Sequence, residues 1–95
     1  MYNGYKNYYT WALANFITND EPTYKHYQAV LEQVRYVIAP EKVQAAFAKS
    51  IQAEITDPNF IDEDSSRFAP FYKSVLVAAL EEVDFEEVAA YFISE

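Results

Sequence analysis

Apolar residues recur along this chain at intervals of three and four, interrupted at proline and at Asn/Asp. That spacing predicts helices and no strand. The first predicted helix covers 8–18. Leu13, Phe16 and Ile17 follow i, i+3, i+4 spacing with Tyr9 a turn earlier, and Asn7 is placed to cap it, its side-chain oxygen accepting from a first-turn amide. Asn19-Asp20 ends this helix and starts the next, over 21–38, where Pro22 falls in the first turn and its missing N–H costs little. Tyr24, Tyr27, Leu31, Val34 and Ile38 make one stripe, and at 100° per residue Tyr36 lies opposite it, beside Lys25 and Glu32.

The third predicted helix, 40–54, opens at Pro40 with Glu41 at its positive end. Val43, Phe47, Ile51 and Ile55 recur every four residues, and Ala45, Ala46 and Ala48 allow close packing. A long loop, 56–66, holds the turn signal Asp57-Pro58-Asn59 and the acidic run Asp62-Glu63-Asp64. The fourth, 69–83, has Val75, Leu76, Ala79, Leu80 and Val83 as its expected buried face. The fifth, 85–93, has Asp84 as N-cap and Glu87 three residues later, a capping-box-like pair. Phe85, Val88, Ala89 and Phe92 are expected to face inward. With no internal repeat and short connections, the expected architecture is all-α, a single domain over 1–95 built as a compact bundle of four to five short helices.

Composition narrows what such a bundle can do. The chain is 52% hydrophobic and 18% aromatic, too apolar for a disordered acidic tail. It has no Cys and one Gly, so thiol chemistry, zinc ribbons and glycine-rich phosphate loops are excluded. No apolar run approaches a membrane span and no export signal precedes the first helix, so the cytoplasm is the expected location.

The net charge of −8 is uneven. Residues 1–50 carry 4 acidic and 5 basic side chains, a net of +1, whereas residues 51–95 carry 11 and 2, a net of −9. Seven Lys/Arg against fifteen acids argue against direct nucleic-acid binding, although Lys6, Lys25, Lys42 and Lys49 do alternate with tyrosines in the first half. Such an acidic half attracts basic partners.

Catalytic chemistry finds little to work with. His26 is the only His, reads as a lone surface residue, and no Ser lies in an elbow motif. The carboxylates cluster in polar runs rather than apolar pockets. Asp57, Asn59, Asp62 and Asp64 offer oxygens, but no Gly turns the loop and no Glu closes it, so no metal or cofactor is expected. The acids Asp62, Glu63, Asp64, Glu81, Glu82, Asp84, Glu86 and Glu87 are the candidate partner-binding residues, as a row of carboxylates that imitates phosphates. Glu81 and Glu82 stand at a helix end that is already negative, where local electrostatics disfavours them. Tyr36, an aromatic on an otherwise polar face, is the remaining candidate contact.

Two stretches carry a resemblance. Asn7-Tyr8-Tyr9-Thr10-Trp11, then Asn19-Asp20 and Tyr24, together with Ala79-Leu80-Glu81-Glu82-Val83-Asp84-Phe85-Glu86-Glu87-Val88-Ala89, resemble an uncharacterised family of small phage, plasmid and haloarchaeal proteins. In that family the opening reads Asn-Tyr-x-Thr-Trp and the closing stretch Ala-Leu-x-Glu-Val-Asp-Trp-x-Glu-Ile-Ala. Phe85 stands here for Trp and Val88 for Ile. The family is a domain of unknown function, so the resemblance implies a mobile-element context and no catalytic residues. By analogy with small acidic proteins of such elements, the expected function is non-enzymatic: binding and modulating, with inhibition the favoured form, a basic host protein such as a nucleic-acid-handling or defence enzyme, through the acidic surface. The alternative is a structural or accessory protein that self-associates into a homo-oligomer through exposed aromatic surface.

Overall fold

A computed structural model describes residues 1–56 and 69–94. Within them the chain is an all-α bundle: α1 (Tyr8–Asn19), α2 (Glu21–Val37), a 3-10 turn (Pro40–Lys42), α3 (Val43–Ile55), α4 (Ala69–Glu81) and α5 (Phe85–Ser94). The loop acids Asp62, Glu63 and Asp64, with Asp57 and Asn59, lie outside the described residues.

The helix starts follow the side chains that cap them. Asn7 Oδ1 accepts from the Thr10 amide at 2.9 Å, and Asp20 accepts from the Thr23 amide at 3.3 Å, each satisfying a first-turn donor. Pro40 opens a 3-10 turn rather than the α-helix expected there. The Lys42 amide bonds Ala39 O at 2.8 Å, and α-geometry begins only at Val43. Ahead of α1, Asn3 (φ 47°) and Gly4 (φ 87°) turn the chain so that Tyr2 and Tyr5 exchange backbone hydrogen bonds of 2.7 and 2.8 Å. The one glycine therefore sits where left-handed backbone is required. This turn lays Tyr2 against Trp11 and Tyr5 against Tyr91, with ring centroids 5.0 and 5.6 Å apart.

The core joins α1, α2, α3 and α5. Tyr27, Leu31 and Val34 meet Phe47, Ala48 and Ile51, with Phe85, Val88, Ala89 and Phe92 closing over them. An aromatic chain runs through it, Tyr24 to Phe92 at 5.2 Å, Phe92 to Phe47 at 5.4 Å and Phe47 to Tyr27 at 6.4 Å.

Two expectations about faces are corrected. In α1 the buried line is Thr10, Ala14 and Ile17, while Phe16 is 57% exposed. At 100° per residue Phe16 stands well off the Thr10, Ala14 and Ile17 line, so it does not share their buried face. In α4 the expected buried face is not buried: Val75 and Leu76 are 52% and 42% exposed, and the helix rests on the core through Leu80 and Val83 near its C-terminal end. Apolar residues cover more than half of the α4 circumference, so no single face is singled out for burial.

Candidate functional site

The first candidate region is the junction between α4 and α5. The Glu82 and Val83 amides turn back to Ala79 O and Leu80 O at 3.1 and 3.2 Å, which ends α4 in a tight turn. Asp84 then caps α5, its Oδ1 accepting from the Glu87 amide at 3.1 Å. The reciprocal arm of a capping box is absent. Glu87 Oε1 instead accepts from the Lys6 amide at 2.8 Å, and the Asp84 amide donates to Thr10 Oγ1 at 3.0 Å. Thr10 is fully buried and donates in turn to Asn7 Oδ1 at 2.9 Å, while Asn7 Nδ2 donates to Glu82 O at 2.6 Å. Asn7 thus caps α1 with its oxygen and closes the end of α4 with its nitrogen. Residues at the start of α1 and at the start of α5, separated by most of the chain, meet in this one network.

The eight sequence-derived acids therefore divide into three groups. Asp62, Glu63 and Asp64 are outside the described residues. Asp84 and Glu87 hold the junction together. Glu81, Glu82 and Glu86 have exposed side chains, and none has a cationic partner among the described residues, where Lys25 pairs with Glu21 and the His26 ring contacts Glu54 by hydrogen bonding. Tyr36 is 91% exposed with Val37 beside it at 72%, on the outer face of α2.

The second region could not be read from the sequence. A cleft of about 740 Å³ opens between α1, α2, α3 and α4, lined by Leu13, Phe16, Ile17, Pro22, Ile55, Leu76 and Leu80. Its polar lining is Thr23, His26, Tyr27 and Glu54. Glu54 is the hub: His26 Nε2 lies 2.9 Å from both carboxylate oxygens, and the Tyr27 hydroxyl donates to Oε1 at 2.9 Å. Burial of the Tyr27 ring pushes its phenol up, and the hydrogen bond to Glu54 and the Glu54 charge push it further, so the hydroxyl stays a donor. The Thr23 hydroxyl is committed to Asp20. The described lining thus presents a fixed carboxylate and an imidazole, with the Thr23 and Tyr27 hydroxyls committed, an arrangement suited to holding a donor or a cation. Glu54 stands 28 residues from His26, and no motif spacing links them.

Among the described residues no group of three or more His, Cys, Asp or Glu is arranged to hold a metal, and no described helix is long and apolar enough to cross a membrane. No protein family, curated protein or solved structure matches this chain.

Proposed function

We propose that this chain is a non-enzymatic interaction protein of a mobile element that binds and inhibits a host protein with a basic surface. The observation that carries the reading is α4. Its Val75 and Val77 are 52% and 43% exposed, and it runs directly into the exposed acids Glu81 and Glu82, with Glu86 in the first turn of α5. Exposed apolar side chains flanked by carboxylates that have no cationic partner among the described residues make a contact surface whose core excludes water and whose rim selects a positive partner. The mobile-element context and the inhibitory role rest on the family resemblance.

The test is a photo-reactive residue placed at Val77 in the native cell, with the same residue at the exposed Lys49 as control. The expected result is one dominant basic adduct from position 77, suppressed by Glu81→Lys/Glu82→Lys and by added salt. No adduct from 77, or the same adducts from both positions, overturns the reading.

Self-association is the second reading, favoured by Tyr36 and Val37 standing together in the open on α2. Under it, light scattering finds a mass above the monomer that Tyr36→Ala reduces; a strict monomer at high concentration removes it.

A further inference from the structure

We propose that the cleft between α1, α2, α3 and α4 is a binding site for a small amphiphile, an apolar chain or ring ending in a protonated amine, with Glu54 as its counter-charge. At about 740 Å³ the cleft lies within the size range of small-molecule sites, and it has their composition, apolar walls with a few convergent polar groups. Its walls come from four helices, so a ligand's apolar body touches Leu13, Phe16, Ile17, Ile55, Leu76 and Leu80 together.

The polar end sets the class of head group. Glu54 is held by two neighbours before any ligand arrives. Tyr27 and His26 both reach Oε1, and His26 alone reaches Oε2, so Oε2 keeps acceptor capacity for a further donor. Among the described residues no Lys or Arg lines the cleft, and Lys25 is paired with Glu21 at 3.0 Å. A protonated amine therefore meets an oriented carboxylate that has no strong cation of its own. A carboxylate head would meet like charge, and an alcohol would gain a hydrogen bond without the charge. The same site explains why Phe16 and Leu76 remain partly open to solvent although both are large and apolar.

The probes are octylamine, octanol and octanoate, which share one tail. Each is titrated at neutral pH against methyl-labelled protein and followed by NMR. Octylamine is expected to give saturable shifts at Leu13, Ile17, Ile55 and Leu80, with octanol about fivefold weaker, the ratio of a partly exposed ion pair, and octanoate weaker still. Glu54→Gln is expected to bring octylamine down to the octanol level and leave octanol unchanged. Leu76→Trp, at a partly exposed lining position, is expected to fill the cleft and weaken all three. The proposal is overturned if octylamine gives no saturable shifts, if octanoate binds as tightly as octylamine, or if Glu54→Gln leaves the octylamine-to-octanol ratio intact. Adduct formation from position 77 does not involve Glu54, so the two readings fail separately.

Discussion

Helices α4 and α5 follow one another, have similar length and are both rich in apolar residues, yet the bundle treats them differently. In α5 the side chains of Phe85, Val88, Ala89 and Phe92 fall on one face and are buried, while Glu86, Tyr91 and Ser94 face solvent. In α4 the apolar residues wrap from Phe71 through Val75, Leu76 and Val77 to Leu80, with Lys73, Ser74 and Glu81 the polar interruptions. Only its last turn is seated. The contrast between faces, not apolar content, decides which helix is buried. A helix apolar on most of its circumference leaves a face over whichever way it docks, and that surplus face is what a partner or ligand can use.

Truncation separates the two helices most sharply. The Phe92 ring meets both Phe47 and Tyr24, so Phe92→Ala is expected to cost about 3–5 kcal/mol, read as a lowered urea midpoint. Val75→Ala in α4 is expected to stay within about 0.5 kcal/mol. Equal losses at the two positions would mean that α4 is as much a part of the core as α5.

The junction between them comes next. Thr10→Val keeps the volume of a fully buried side chain but removes the acceptor of the Asp84 amide and the donor to Asn7. The expected loss is about 1–3 kcal/mol. Asp84→Ala, which removes the α5 cap, is expected to cost about 1 kcal/mol. Because the two residues share a network, the double variant should lose less than the sum, and hydrogen exchange should quicken first at the start of α5. Additive losses would show that α5 is held by its buried face alone.

These residues also mark how far the sequence can be read. Caps and stripes are local, so Asn7, Asp20 and Asp84 were legible as caps, and the five helices with them. Asp84 and Glu87 were legible as a pair, but the second bond of Glu87 goes to the Lys6 amide, 81 residues away, and nothing local announces it. Periodicity places His26 on one helix and Glu54 on another without saying which faces meet, so the cleft was hidden and His26 read as solitary. For α4 the expected face holds only at Leu80 and Val83, and Val75 and Leu76 stay exposed, because several faces were apolar enough to qualify.

On the cleft side of α4, Tyr27 supplies a pH test of intermediate size. The folded chain holds the phenolic proton more tightly than the unfolded chain, which releases it near the ordinary value of about 10. The contribution of this group is therefore intact below about pH 10 and declines as pH rises beyond it, by at most about 1.4 kcal/mol per unit. Tyr27→Phe should flatten that part of the stability profile measured by denaturant titration. An unchanged slope would mean that the hydroxyl is not held by Glu54 in solution.

The smallest expected effect is the most informative about α4. Glu81 is in its last turn, where the helix end already carries partial negative charge, so Glu81→Lys should stabilise the fold by about 0.3–1 kcal/mol, seen as a small rise in Tm. The same variant should weaken capture of the basic partner from position 77. A rise in Tm together with lost capture means that a partner, not the helix, favours an acid at this position. A rise in Tm with capture intact returns Glu81 to solvation, and the surplus face of α4 must then choose its partner by shape and apolar contact alone.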